Sequence, residues 1–299
     1  MRIDRFRIAI GPWLLLVLLG LPLSAEAQNG ATESFVRTQT FRLDSRLMKR
    51  EMPYRVILPV GYDAPGNNAK KYPTLYLLHG LTGNFRNWSD MARLEKHSKD
   101  YGYLIVMPEG DNGWYTDSGM IPNAKYESYI IRELIKEIEN KFRVKTNRES
   151  RAIAGLSMGG FGALKFAVKY PEKFVIAGSF SGALRAAEWT SKELLSTRSR
   201  VLIVSISSAF GKAESAARKR NDLFSIVRNK NAEDIKALPF LYLDCGTEDF
   251  LVMENRKFAT LLLTKKAAHE FRQLPGRHDW KFWDSQIQEF LNVSKRFVK

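Results

Sequence analysis

Hydrophobic and polar residues alternate in two segments near the start of the chain, at 34–43 and 52–59. This alternation is typical of strands that have one face buried and the other face in water. No helical pattern lies between the two segments. They therefore predict an antiparallel pair of strands at the edge of a sheet.

Later in the chain, five continuous apolar runs have the pattern of strands that are buried on both faces. These runs lie at 74–80, 103–110, 151–157, 174–182 and 239–246. Apolar residues recur at three- and four-residue steps elsewhere, which predicts helices at 127–143, 158–170, 253–267 and 280–293. Buried strands that alternate with helices predict an α/β fold, with a mostly parallel central sheet and helices on both of its faces.

The segment 183–237 does not follow this alternation. It contains the apolar run "VLIVSISSAF" and then the polar run "GKAESAARKRND". Two interpretations stay open: a helical cap over the functional site, or an insertion without strands. The pattern of strands and helices outside this segment predicts a single domain over residues 28–299, which would include the segment.

Residues 1–27 have the pattern of a secretory signal peptide. Three arginines precede an apolar run at 8–23, and an Ala-x-Ala pattern ends at Ala27. A membrane anchor is the alternative, but the run is short for a span and is interrupted by glycine and proline. We therefore expect cleavage before Gln28, export to the periplasm or the medium, and no membrane span in the mature protein.

Composition and charge narrow the function only slightly. The chain is 44% hydrophobic and 26% charged, which is ordinary for a globular protein. Cys245 is its only cysteine, so no disulfide can form within the chain. The net charge of +15 is spread along the sequence without a nucleic-acid-binding motif, so we expect a solvated basic surface and no nucleic acid partner. Attraction to anionic envelope polymers or acidic substrates is the alternative interpretation of the charge.

A Gly-x-Ser-x-Gly motif centred on Ser157 carries the candidate chemistry. It follows a predicted buried strand and precedes a predicted helix, which is the setting of a nucleophilic serine on a sharp turn. Side chains at Gly155 and Gly159 would collide with neighbouring backbone in so tight a turn. The helix N-terminus also favours developing negative charge. A purely structural glycine turn is the alternative, and the strand–turn–helix setting disfavours it.

A serine hydroxyl needs a base, and the chain has four histidines. His278 lies in a glycine-containing loop before the last predicted helix, where open α/β folds place their chemistry. His79 ends a buried strand, His97 is predicted at the surface, and His269 falls in or beside a strand. His278 is therefore the predicted base.

The base in turn needs a carboxylate to orient it. Asp249 lies beyond the end of a predicted strand and is the first choice, with Glu248 as the fallback. Asp244 falls within the strand. Asp279 is better placed to cap the helix that starts at Trp280.

Two backbone N–H groups are expected to stabilise an oxyanion. One belongs to Met158, directly after the serine, and the other to Leu81, in the loop after the third strand. Gly80 lets the backbone approach there, so His79 is interpreted as a scaffold residue rather than as a second base.

The chain resembles the esterase D family of α/β-hydrolases from about residue 35 to its end. The blocks that carry the resemblance are "LLHGLTGNFRNW", "MPEGDNGWYTDS", "GLSMGGFGALKFAVKYPEKF", "LDCGTEDFL" and "LPGRHDWKFWDSQIQEFL". The family includes S-formylglutathione hydrolases, feruloyl esterases, mycolyltransferases and tributyrin-type esterases, and the last are the most similar.

The resemblance implies that Ser157, Asp249 and His278 form a catalytic triad. It also implies that Leu81 and Met158 donate the backbone N–H groups of the oxyanion hole. It also implies that Trp114 and Tyr115 lie near the acyl or alcohol pocket, with plain loop packing as the alternative.

The predicted function is that of an exported serine carboxylesterase, which hydrolyses short-chain esters through an acyl-enzyme. The substrate is a small-molecule ester, and neither a cofactor nor a metal is expected, because no cluster of ligands has metal-binding spacing. The alternatives are an acyltransferase, or an esterase for S-formylglutathione, feruloyl or acetyl-sugar substrates. A secreted binding or adhesion protein on a hydrolase scaffold is the non-enzymatic alternative.

Overall fold

A computed structural model describes residues 36–196 and 199–299. The predicted signal peptide, residues 1–27, lies outside the described residues. Eight strands form one sheet: β1 Arg37–Ser45, β2 Arg50–Leu58, β3 Thr74–Leu78, β4 Leu104–Pro108, β5 Arg151–Leu156, β6 Ile176–Phe180, β7 Phe240–Gly246 and β8 His269–Leu274.

The strand order across the sheet is β1-β2-β4-β3-β5-β6-β7-β8. The pairs β1–β2 and β2–β4 are antiparallel, and all the remaining pairs of neighbouring strands are parallel. This arrangement confirms the predicted α/β-hydrolase fold with an antiparallel N-terminal edge.

Short helices follow β3: α1 Asn87–Met91 and α2 Leu94–Ser98. One longer helical segment precedes β5 and consists of α3 Tyr126–Ser128, a π-helical turn Tyr129–Leu134 and α4 Ile135–Lys141. The helix α5 Met158–Lys169 follows β5. After β6 come α6 Ser191–Ser196, α7 Arg200–Phe210, α8 Ala216–Asn221, α9 Leu223–Asn229 and α10 Ala232–Lys236, and the chain ends with α11 Val252–Thr264 and α12 Trp280–Ser294.

The central strands are buried because each contributes side chains to two separate cores, one on each face of the sheet. In β5, Ile153 packs in the core that contains Phe161 of α5, whereas Ala154 packs in the core that contains Phe290 of α12. This two-residue alternation places α5 and α12 on opposite faces. The continuous apolar runs in the sequence follow from that double burial.

The segment 183–237 is helical and contains no strand among its described residues. Its apolar run forms α7, whose first turn is capped by Ser199, with the backbone N–H of Leu202 donating to the Ser199 hydroxyl over 3.4 Å. None of the described helices is long and apolar enough to cross a membrane.

The predicted surface position of His97 is wrong. The residue is only 7% exposed, and its Nε2 atom lies 3.0 Å from Oδ1 of Asp284. The reason is that α2 packs against α12, which is distant in sequence and supplies the polar partner that the imidazole needs when it is buried.

Candidate active site

Ser157 lies on a sharp turn between β5 and α5, with φ of 52° and ψ of −113°. A Cβ atom on Gly155 would come within 2.5 Å of the carbonyl carbon of Gly159. A Cβ atom on Gly159 would come within 2.5 Å of the carbonyl oxygen of Leu78 in β3. Both glycines are therefore required by close backbone contacts, and the turn holds Ser157 in a conformation that is unfavourable for a residue with a side chain.

The structure brings together the three side chains that the sequence singled out. Nε2 of His278 lies 3.0 Å from Oγ of Ser157, and Nδ1 lies 2.8 Å from Oδ2 of Asp249. Because an ionised carboxylate only accepts hydrogen bonds, Nδ1 carries the hydrogen. Nε2 is then free to accept the serine proton.

The environment of Asp249 favours its charged form. Burial alone would raise the pKa of this carboxyl group, but the hydrogen bond from His278 and the electrostatic attraction of its imidazole lower it, as does the N–H of Leu251. That N–H donates to Oδ1 over 2.8 Å. The pKa of Asp249 is lowered overall, so the carboxylate is ionised at neutral pH and can stabilise a cationic imidazole.

None of the other candidate carboxylates hydrogen-bonds to the His278 imidazole, whose partners are Asp249 and Ser157. Glu248 forms an exposed ion pair with Arg277 over 2.8 Å. Asp279 caps α12, where its side chain accepts the N–H of Phe282 over 3.0 Å. Asp244 is fully buried within β7, and burial raises its pKa well above the ordinary value.

The two predicted oxyanion donors border Ser157. Leu81 follows Gly80, where an added Cβ atom would lie 3.6 Å from the Cβ of Ser157, so the loop after β3 approaches the serine closely. Met158 is the first residue of α5. Among the described residues, no group accepts a hydrogen bond from the backbone N–H of Leu81 or Met158. Both donors are therefore available to a developing negative charge.

Ser157 and His278 lie in a cleft of about 820 Å³. Apolar side chains from several parts of the chain line it, among them Leu81, Met91, Trp114, Trp189, Leu202, Phe250, Leu251, Trp280 and Trp283. Trp114 therefore reaches the cleft. Tyr115 does not: its ring is fully buried, and its hydroxyl donates to the carbonyl oxygen of His79 over 2.9 Å.

Sequence reasoning did not assign most of the apolar cleft residues to the site, and three of them illustrate why. Trp189 and Leu202 come from the segment 183–237, whose pattern does not indicate which side chains face the site. Phe250 directly follows Asp249, and its ring lies 4.7 Å from the imidazole of His278. An aromatic residue beside the predicted acid was a usable signal for a cleft residue.

The described residues include no group of three or more His, Cys, Asp or Glu side chains that could hold a metal ion.

The sequence profile of the esterase family matches residues 45–292. An acetyl esterase of Caldicellulosiruptor saccharolyticus is 30% identical over 249 residues, which cover 81% of this chain and 92% of that protein. A solved ferulic acid esterase superposes with a TM-score of 0.74 at 26% identity, covering 88% of this chain and all of the other.

A substrate-bound, fluorophosphonate-binding serine hydrolase of Staphylococcus aureus is also similar. Its TM-score is 0.77 at 26% identity, and the match covers 87% of this chain and 98% of the other. The family profile covers most of this chain. The chain, in turn, aligns with each of these relatives over nearly the whole length of the relative. The protein therefore belongs to the esterase family of α/β-hydrolases.

Proposed function

We propose that this esterase hydrolyses short-chain carboxylic esters through an acyl-enzyme formed on Ser157. The observation that carries the proposal is the continuous chain of contacts from the serine Oγ through the His278 imidazole to the Asp249 carboxylate. A nucleophile, its base and the group that orients the base are the three parts that covalent acyl transfer requires.

In the first half of the reaction, Oγ of Ser157 attacks the ester carbonyl carbon while its proton passes to Nε2 of His278. The imidazole becomes cationic, and the buried Asp249 carboxylate stabilises it. The carbonyl oxygen becomes an oxyanion, which accepts hydrogen bonds from the N–H groups of Leu81 and Met158. Donors of this type are each worth about 10²- to 10³-fold in kcat.

The tetrahedral intermediate then collapses. The bond from carbon to the leaving oxygen breaks, and the alcohol takes the proton from Nε2 of His278. In the second half, the same nitrogen removes a proton from water, whose oxygen attacks the acyl-enzyme. The acid is released and the proton returns to Oγ of Ser157, so the enzyme is regenerated without a net gain or loss of protons by its side chains.

The preference for short acyl chains is supported by the similarity to an acetyl esterase over most of both proteins. The lining of the cleft is consistent with a small apolar acyl group beside the serine, because the apolar side chains of Trp114, Trp189 and Leu202 border the same cleft as Ser157.

Hydrolysis of p-nitrophenyl acetate and butyrate tests the proposal. We expect turnover by the wild-type protein and a loss of at least about 10³-fold in kcat for Ser157→Ala, since the nucleophile is removed. Thermal unfolding of the variant should match that of the wild type. A folded Ser157→Ala variant with wild-type turnover would contradict the proposal, and a folded wild type with no turnover on any short ester would favour a binding role.

We also propose that the protein is exported. The support is the order of the basic, apolar and Ala-x-Ala parts within residues 1–27. Expression of the full chain in a bacterium, followed by N-terminal sequencing of the periplasmic and extracellular protein, should give a chain that begins at Gln28. Full-length protein confined to the cytoplasm or retained in the membrane would contradict export.

A further inference from the structure

His79 is buried directly beneath the loop that carries Leu81. Its Nδ1 atom lies 2.8 Å from the carbonyl oxygen of Gly80, and that oxygen can only accept a hydrogen bond. Nδ1 therefore carries a hydrogen and donates it. The imidazole is not part of the cleft lining and does not contact the triad.

The bond to Gly80 bears on the oxyanion hole because of the geometry of one peptide unit. The carbonyl of Gly80 and the N–H of Leu81 belong to the same planar group and point in opposite directions. A donor that fixes the carbonyl oxygen thus also fixes the direction of the N–H. The N–H of Gly83 donates to the same oxygen over 3.1 Å, so His79 and Gly83 both hold this peptide on its carbonyl side.

The imidazole is itself held by Glu109, which follows β4. Nε2 of His79 lies 3.1 Å from Oε1 of Glu109, and the backbone N–H of Gly110 donates to the same oxygen over 3.0 Å. The same carboxylate accepts the N–H of Asp111 over 2.7 Å and that of Phe85 over 3.3 Å. Glu109 therefore ties the loop after β3 to the loop after β4.

The charge of Glu109 is retained although the side chain is buried. Burial raises the pKa of this carboxyl group, but the hydrogen bond from His79, the electrostatic attraction of its imidazole and the N–H groups of Asp111 and Phe85 together lower it by more. Its pKa is below the ordinary value overall. A carboxylate that accepts this many hydrogen bonds is held in one position, and it therefore restricts the movement of the His79 imidazole that contacts it.

The two residues that flank the peptide unit are also fixed. The hydroxyl of Tyr115 donates to the carbonyl of His79 over 2.9 Å. On the other side, the N–H of Thr82 donates to Oδ1 of Asn112 over 2.8 Å, and Thr82 has a positive φ of 63°. These contacts leave the Gly80–Leu81 peptide little freedom to rotate.

We infer that His79, held by Glu109, is a positioning residue that aims the Leu81 N–H at the oxyanion. The inference rests on the proposed function, since it requires that Leu81 acts as an oxyanion donor. His79 does not touch the substrate, so its loss should lower kcat and leave KM within about twofold. Because Gly83 retains its own bond to the same carbonyl, we expect a partial loss of about 10-fold in kcat, less than the 10²- to 10³-fold of a complete donor.

The test compares His79→Ala with His79→Asn on p-nitrophenyl acetate. An asparagine side chain can place an amide N–H near the position of Nδ1 and donate to Gly80, but it cannot reach Glu109. We expect kcat to decrease in the order wild type, His79→Asn, His79→Ala. Glu109→Gln should also lower kcat with KM nearly unchanged, because it loosens the imidazole without removing it.

A second readout separates positioning from a general loss of structure. A boronic acid forms an anionic tetrahedral adduct with the serine, so its inhibition constant should weaken by the same factor as kcat falls. Trp88→Phe is the matched control: the Trp88 Nε1 atom donates over 2.9 Å to the carbonyl of Leu78, the last residue of β3, and therefore holds a different peptide from the one between Gly80 and Leu81. This variant should lose stability and keep its kcat and its boronic acid affinity.

The outcomes distinguish this inference from the proposed function. If Ser157→Ala retains turnover, the proposed function fails. If Ser157→Ala is inactive but folded His79→Ala has wild-type kcat and boronic acid affinity, only the positioning role is overturned. If His79→Ala does not fold, His79→Asn and Glu109→Gln decide: wild-type kcat in both overturns the inference, and reduced kcat with parallel loss of boronic acid affinity supports it.

Discussion

Asp249 and His278 are joined across 2.8 Å although they follow different strands, β7 and β8, which are neighbours in the sheet. Ser157 follows β5, two strands further along. Because these strands are parallel, their carboxyl ends share one edge of the sheet, and the three loops meet there. The convergence of the three side chains is thus a consequence of the sheet order.

The Asp249–His278 contact predicts the effect of Asp249→Asn. An asparagine amide can donate to Nδ1 and so favour the imidazole form that carries its hydrogen on Nε2, which cannot accept the serine proton. We expect kcat to fall by about 10³- to 10⁴-fold with little change in fold. Glu248→Gln removes the neighbouring carboxylate, which pairs with Arg277 instead, and it should leave kcat within about twofold. Equal losses in both variants would contradict the assignment.

The serine turn predicts that Gly159→Ala is poorly tolerated. The new methyl group would lie 2.5 Å from the Leu78 carbonyl oxygen and 2.7 Å from that of His79, and both are backbone atoms that cannot move aside. We expect a loss of about 1–3 kcal/mol in unfolding free energy and a lower kcat, since the turn shifts Ser157. Gly66→Ala meets no atom within 4 Å and should cost only the strain of its positive φ, with kcat unchanged. Chemical denaturation and ester hydrolysis measure both effects.

The buried side chain of Lys165 predicts a large effect on stability. Its Nζ atom lies 2.9 Å from Oε2 of Glu127 and 2.6 Å from the carbonyl oxygen of Tyr115, and the side chain has no exposure. Lys165→Met would leave these buried oxygens without their donor, so we expect a loss of about 3–5 kcal/mol in unfolding free energy. Lys141→Met breaks an exposed pair with Glu137 and should cost less than about 1 kcal/mol. Similar midpoints for the two variants in urea would contradict this prediction.

Glu254 predicts a dependence of stability on pH. Burial raises its pKa from the ordinary 4.5 to about 7, against the lowering effect of the backbone N–H groups of Arg185 and Leu184 and of the Arg185 charge. The folded state therefore keeps a proton between these two values that the unfolded state releases, and this group makes stability fall as the pH rises through that window. The full effect is about 3 kcal/mol, at 1.36 kcal/mol for each pKa unit.

Replacement of Glu254 should remove that dependence. We expect Glu254→Gln to show a flatter unfolding free energy than the wild type between about pH 4.5 and 7, and to be the more stable of the two above that range. Glu214→Gln, at an exposed side chain, should follow the wild-type curve. An unchanged slope in Glu254→Gln would show that another group causes the pH dependence.

The sequence predicted those features that short-range patterns determine. Buried strands appear as continuous apolar runs. Gly155 and Gly159 are needed around Ser157 because neighbouring backbone lies too close to leave room for a side chain. His97 was misplaced because its burial depends on α12, nearly 190 positions away in the chain. The family resemblance implied that Tyr115 lies near the pocket, but its ring is buried and its hydroxyl donates to the carbonyl of His79.

The cleft walls were harder to predict than the positions of Ser157, Asp249 and His278. Trp189 and Leu202 reach the cleft from the helical segment 183–237, where an amphipathic pattern indicates that a face is buried but not which element covers it. The partnership of His79 with Glu109 likewise joins two loops that only the pairing of β3 and β4 brings together.

Peptide mapping after rapid acid quench of the reaction with p-nitrophenyl acetate tests the acyl-enzyme mechanism most directly. The account predicts an acetyl group on the peptide that contains Ser157 in the wild-type protein, and none on the same peptide of Ser157→Ala. An acetyl group on a different residue, together with undiminished turnover in Ser157→Ala, would contradict it.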